Sequence, residues 1–293
     1  MRADAAQRKL TQELRAAKIE TADLDARVLL CVALECDATA LARAPEQMLT
    51  PAQAAQLNEW LSARLAHKPV SRILGRREFY GRDFIITDRV LDPRADSETL
   101  IEAALARLPV HQPVHKPSRI LDLGTGSGCL VLTLLAERVE AQGVGADVSP
   151  EALAVAQENA AQLGVGGRAD FIESDWFREI DARFDMIVSN PPYLAPGEME
   201  WLDKDVADYD PHLALYGGSD GLDPYRLICR QAAAFLKPQA WLIFEIGALQ
   251  ARAVTGFMQA AGFEAVEVMK DLAGRDRVVC GRASAAMHKA GKN

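Results

Sequence analysis

The 293-residue chain has no apolar run approaching the roughly 20 residues that a membrane span needs, and no N-terminal basic segment leading into a signal-length apolar stretch. Membrane insertion and export are thereby disfavoured, and a cytoplasmic location is expected. Cysteine is scarce: Cys31, Cys36, Cys129, Cys229 and Cys280 are odd in number, form no Cys-x-x-Cys pair and lie in apolar segments. Reduced core thiols are expected, not a disulfide framework or a zinc site. His111 and His115 lie four apart, but in a proline-bearing stretch unsuited to a helical metal site, so no metal is expected. An excess of positive charge is missing too. The formal net charge of -8 counts against a chain whose main work is gripping a phosphate backbone. Arg72, Arg76, Arg77 and Arg82 form a local basic run, readable as a solvated face or as a patch for an acidic partner.

What is present, 49% hydrophobic residues, suffices for one large domain and a small one. The chain reads as helical up to about Ala66. Thr21 stands where it could cap a segment with Leu24, Val28, Leu29 and Val32 on one face, and Thr50-Pro51 opens another with Leu57, Trp60, Leu61 and Leu65. Residues 78–90, broken at Gly81-Arg82, predict a β-hairpin. Asp96 or Ser97 is expected to cap a helix carrying Leu100, Ile101, Ala104 and Leu105. A loop with Pro109, Pro113 and Pro117 follows it.

Beyond Arg119, apolar runs alternate with helical stretches, the signature of a parallel sheet covered by helices. The runs at 120–123, 143–148, 171–173, 184–189 and 241–246 predict strands, and those near 265–268 and 278–280 an antiparallel ending. Only the tail after Ala283 reads as disordered.

Asp122-Leu123-Gly124-Thr125-Gly126-Ser127-Gly128 follows the first of these strands and opens a helix, so backbone there must approach a ligand closely. A dinucleotide loop favours G-x-G-x-x-G; this one reads G-x-G-x-G behind an acid that disfavours phosphate. Asp122 suits instead the ammonium of a methionine moiety, and S-adenosylmethionine adds a positive sulfonium. Asp147, ending the next strand, is placed to bind the two hydroxyls of a ribose, with Ser149 better placed as the cap of the following helix. After the third strand, Asp175 is positioned to accept from an adenine amino group and Trp176 to pack on the ring.

Asn190-Pro191-Pro192-Tyr193 comes directly after the strand at 184–189. An amide nitrogen is a poor nucleophile because its lone pair is delocalised. The Asn190 side-chain oxygen and the Pro191 carbonyl could each accept one N–H of an NH2 group and aim the lone pair at a methyl donor. The prolines stiffen that geometry, and Tyr193 offers a flat face to a planar amide or base.

With those motifs the chain resembles the HemK/PrmC family of release factor N5-glutamine methyltransferases over nearly its whole length. Further matches are Lys68-Pro69-Val70, Ile73-Leu74-Gly75, Glu78-Phe79-Tyr80-Gly81, 90–94 and 98–100, and, downstream, 210–215, 217–222, Glu245-Ile246-Gly247 with Gln250, and 271–277. The family pattern has Pro-Arg-Pro-Glu-Thr-Glu where this chain reads Pro93-Arg94-Ala95-Asp96-Ser97-Glu98-Thr99, and glutamate where Asp210 stands. The resemblance implies an α/β chain: a seven-stranded, Rossmann-like class I methyltransferase domain (93–285), a small all-helical N-terminal recognition domain (1–75), a β-hairpin linker (76–92) and a tail (286–293). It implies S-adenosyl-L-methionine as cofactor and the glutamine of the Gly-Gly-Gln motif of class I peptide chain release factors as acceptor. Residues 124–128, Asp147, Trp176 and Asn190 then look like cofactor contacts and Asn190 to Tyr193 like the glutamine clamp.

Three other readings compete. A sister family methylates a glutamine of a ribosomal protein with a different N-terminal region, so the Leu24 to Leu34 helix and residues 69–81 favour the release-factor branch. Adenine-N6 nucleic acid methyltransferases use a similar clamp but need a cationic surface, which the net charge disfavours. A silent binding module would keep the fold without the tetrapeptide's chemistry. No stable nucleic-acid binding is expected, and a monomer is the default.

Overall fold

The computed structural model describes residues 1–109, 117–285 and 287. The His111–His115 pair and most of the tail lie outside them. Two compact units emerge, one of Met1–Gly75 with Asp203–Tyr209, the other of Arg76–Leu202 with the chain from Asp210 onward. The return of Asp203–Tyr209 to the first unit is a feature that a boundary drawn at residue 75 misses.

The first unit is helical: α1 (Ala3–Ala16), α2 (Ala22–Ala33), α3 (Ala38–Arg43), α4 (Pro51–Leu65) and α5 (Val70–Leu74). Its core gathers Leu10, Leu14, Leu29, Leu30, Leu57 and Leu61. Thr50 caps α4, its hydroxyl accepting from Gln53 N while Gln53 accepts from Thr50 N, and Pro51 supplies the pre-set first turn. The expected cap at Thr21 is absent: its hydroxyl donates to Asp25 at 2.8 Å instead. The apolar stripe of α2 is also rotated from expectation. Leu24 is 49% exposed, whereas Asp25 turns inward because Arg64 of α4, itself buried, meets its carboxylate at 2.7 Å. The second Arg64 partner is Asp205 at 2.9 Å, which ties the return segment into this unit.

In the second unit β1 (Arg76–Phe79) and β2 (Arg82–Ile85) form the hairpin, followed by α6 (Glu98–Leu105), β3 (Arg119–Leu123), α7 (Cys129–Glu137), β4 (Gln142–Asp147), α8 (Pro150–Gln162), β5 (Ala169–Glu173) and β6 (Phe184–Ser189). Then come α9 (Pro196–Met199), α10 (Lys204–Ala207, in the return segment), α11 (Asp223–Phe235), β7 (Leu236–Glu245), α12 (Ala251–Ala260), β8 (Phe263–Lys270) and β9 (Asp276–Ala283). The seven-stranded sheet runs β5-β4-β3-β6-β7-β9-β8, parallel except at β9, which pairs antiparallel with both β7 and β8. β3 and β6 are buried almost without interruption, as strands covered on both faces must be. This is the expected α/β architecture with its antiparallel ending.

The hairpin belongs to this unit's core and is not a free linker. Phe79 and Phe84 meet edge to face and pack with Leu100, Ile101 and Leu130, while Asn159 of α8 exchanges hydrogen bonds with the backbone of Ile85. Neither Asp96 nor Ser97 caps α6 through its side chain; a 3-10 turn at Ala95–Ser97 leads in, and Asp96 is taken up by Arg275 and Arg277. The basic run is likewise committed: Arg76, Arg77 and Arg82 face Asp83, Asp92 and Glu137, and Arg72 is buried.

Candidate active site

Register alone brings the chemistry together. Leu123 pairs with Ala146 and Ser189, Asp147 with Glu173, and Ser189 with Phe244, so the ends of β3 to β7 share one edge of the sheet. Ligands of open α/β sheets bind outside such carboxyl ends. The Ser189 hydroxyl donates to Leu123 O at 2.7 Å and locks the start of the glycine loop beside the tetrapeptide.

In the loop Gly124, Gly126 and Gly128 have φ of 70°, 55° and 79°, the left-handed region that disfavours other residues. A Cβ added at Gly124 or Gly126 would meet nothing within 4 Å, so open space lies in front of them; beneath the loop, Gly145 has no such room, since a Cβ there would come within 2.9 Å of Thr125 Oγ1. Four of the loop's five amides are spent internally: Gly124 N and Thr125 N donate to Ala146 O, Gly126 N to the Asp147 carboxylate at 2.8 Å, and Gly128 N to Thr125 O. A cradle of free N–H groups for a pyrophosphate is therefore not what the loop offers.

Asp122 has no exposed surface. Its Oδ2 accepts from the Thr125 hydroxyl at 2.7 Å, which shapes the loop, and Oδ1 is buried without a hydrogen-bond partner. Burial, reinforced weakly by Asp147 and opposed by Thr125, pushes its pKa up to about 7. Thr125 and Ser127 are buried with it, leaving Gly124 and Gly126 as the accessible face.

Asp147 is half-buried and accepts from both Gly126 N and Ser149 N, while Ser149 caps α8 by accepting from Ala152 N. Its carboxylate thus stands at the strand end, held toward the loop. Asp175 is exposed beside it, and Trp176, at φ 54°, packs its half-buried ring on the core. Committed amides, two strand-end acids and open space over two glycines fit a cationic nucleoside-type ligand better than a phosphate-bearing one.

The tetrapeptide is held from behind by residues that sequence reasoning gave no role. Gln250 Nε2 donates to Tyr193 O at 2.9 Å and to Gly221 O, and its Oε1 accepts from Gly247 N. Leu194 and Leu215–Gly217 exchange backbone hydrogen bonds. Side chains are excluded along this seam: a Cβ at Gly217 would lie 2.6 Å from Pro192 O, and one at Gly221 2.3 Å from Tyr193 O. The glycines of 217–222 were visible as a signature; what they approach was not.

Under Tyr193 lies a buried polar floor. Arg277 donates to Ile246 O at 3.1 Å, pairs with Asp96 at 3.1 Å and faces the Tyr193 hydroxyl, while the Tyr225 hydroxyl donates to Glu245 O. Burial, followed by the nearby Glu245, raises the Tyr193 pKa. Arg94 meets Asp210 at 2.5 Å, so the segment that carries the first departure from the family pattern is pinned to the residue that is the second. Among the described residues no cluster of three metal-binding side chains occurs.

Residues 5–75 match the PrmC N-terminal domain family and residues 97–204 the Methyltransferase small domain. The chain is 49% identical to the release factor glutamine methyltransferase of Cereibacter sphaeroides, over 98% of this chain and 100% of that one. Against the release factor glutamine methyltransferase of Rhodospirillum rubrum it is 43% identical, over 93% and 82%. Among solved structures the 16S rRNA N2 G1207 methyltransferase of T. thermophilus, in complex with AdoMet and guanosine, superposes with a TM-score of 0.50 at 20% identity, covering 71% of this chain and 49% of that one; this likeness speaks to the fold alone.

Proposed function

The chain belongs to the release factor glutamine methyltransferase family, and from that premise we propose that it methylates the side-chain amide nitrogen of the Gly-Gly-Gln glutamine in class I peptide chain release factors, using S-adenosyl-L-methionine. The observation that carries the reading is the shared edge: the glycine loop and Asn190-Pro191-Pro192-Tyr193 stand on adjacent strands, locked by Ser189 to Leu123 O.

The bound cofactor supplies an electrophilic methyl group beside a cationic sulfur. Gly124 and Gly126 give it backbone without side chains, and Asp147 is the strand-end acceptor for ribose hydroxyls. Asp122 acts from beneath, through the loop it shapes. Asp175 and Trp176 flank the place of the adenine. Asn190 and Pro191 accept the two N–H groups of the acceptor amide, so that its nitrogen lone pair points at the methyl carbon. Tyr193 covers the flat face of the amide, and Pro192 stiffens the turn. No strong base is needed beforehand, because the nitrogen becomes acidic once methylated.

The paired arginines and net charge of -8 favour a protein acceptor over nucleic acid. The test is methyl transfer from labelled cofactor to a purified class I release factor, beside the same factor with its motif glutamine replaced by alanine. Labelling of the first and not the second supports the reading; equal labelling of both refutes it.

A further inference from the structure

Around Tyr193 the charged groups come in matched sets. Arg94 pairs with Asp210 at 2.5 Å and Arg277 with Asp96 at 3.1 Å. Glu245, at the end of β7, is the carboxyl left over. It is 1% exposed, its Oε2 is buried with no hydrogen-bond partner, and its side-chain partner is Ser97. A buried carboxyl so thinly compensated costs stability, and such groups gather where chemistry is done.

Its place is next to the clamp. Ser189 pairs with Phe244, which sets Asn190 beside Glu245. Two residues on, a Cβ at Gly247 would lie 3.4 Å from Tyr193 Cδ2, so the Tyr193 ring lies against that backbone. The groups facing Glu245 are Ser97, Asp96 and Arg94 before α6, Arg277 on β9, Tyr193 after β6, Tyr225 on α11 and the Cys129 thiol on α7.

Methyl transfer forms an N–C bond with the amide nitrogen lone pair and breaks the donor's S–C bond, whose electrons stay on sulfur. Positive charge thereby moves to the amide and leaves when an N–H proton departs to water. We propose that Glu245 is a positioning residue of the acceptor site: behind Tyr193 its carboxylate gives the otherwise neutral cluster the negative charge that steadies an amide becoming cationic. This rests on the methyltransferase reading and goes beyond it. Burial, opposed by Ser97 and Arg277, pushes the Glu245 pKa up to about 7. Turnover is therefore expected to rise with pH through that value as the carboxylate forms.

The experiment compares wild type, Glu245→Gln and Glu245→Asp with a release factor and S-adenosylmethionine from pH 6 to 8.5, together with the cofactor Kd by calorimetry. Glu245→Gln is expected to lower kcat at high pH by about tenfold or more and to flatten its pH response, with KM and cofactor Kd nearly unchanged; Glu245→Asp recovers part of the loss. Carbon-13 NMR of glutamate carboxyls in the ligand-free protein should show a group titrating near 7 that Glu245→Gln removes. A Glu245→Gln enzyme with wild-type kcat and pH response overturns the proposal, as does one that loses cofactor binding or folding in step with turnover. A wild type inactive on every release factor tells against the broader reading, while the carboxyl titration still reports on Glu245 itself.

Discussion

Gln250 donates from Nε2 to Tyr193 O at 2.9 Å, and the same amide accepts from Gly247 N. One side chain thus joins the clamp loop to the loop after β7. Gln250→Ala removes both links without touching the glycine loop. kcat should fall by about 10- to 100-fold while cofactor affinity stays within error; single-turnover kinetics beside calorimetry checks the split.

Tyr193 and Asp147 should separate the two ligands. Tyr193→Ala should depress methyl transfer by ~10²-fold with little effect on cofactor binding. Asp147→Ala should mainly weaken the cofactor, by about tenfold or more, or ~1.4 kcal/mol, because it loses both the acceptor proposed for the ribose and the partner of Gly126 N. Reversal of the two effects in calorimetry and turnover would contradict the assigned roles.

Gly221 has φ 72°, and a Cβ there would lie 2.3 Å from Tyr193 O. Gly221→Ala must therefore push the clamp loop away. A stability loss of about 1–3 kcal/mol in urea unfolding is expected, with turnover falling further than stability accounts for.

Asp122 carries a pH signature. Its folded-state pKa is raised by burial to about 7, so the native state holds a proton that the unfolded chain releases in the ordinary carboxylate range. The stability this contributes is complete below that range and is lost as pH rises through about 7. Urea midpoints measured across pH should fall over that window in wild type and fall less in Asp122→Asn, whose amide oxygen still accepts from Thr125.

The sheet was legible because central parallel strands buried on both faces leave continuous apolar runs, as in β3 and β6, with glycine and the Asn-Pro-Pro-Tyr turn marking their ends. Local chemistry was legible too, as at Thr50 and Ser149. What escaped depends on partners distant in sequence. Asp25 turns inward only because Arg64 waits there, and Thr21 follows Asp25 instead of capping. The register shift in β8 follows Ala265 at φ 48°, which no pattern of side chains announces. Gly217, Gly221, Gln250 and Arg277 support Tyr193 through backbone oxygens and burial, contacts that only the fold creates.

The most direct test of the account is where the methyl group ends up. Incubated with labelled S-adenosylmethionine, a class I release factor and ribosomal proteins, the enzyme should leave its label on the side-chain amide of the release factor's Gly-Gly-Gln glutamine, as read by mass spectrometry of the digested products. Label on a ribosomal protein glutamine, or on any atom other than an amide nitrogen, would contradict it.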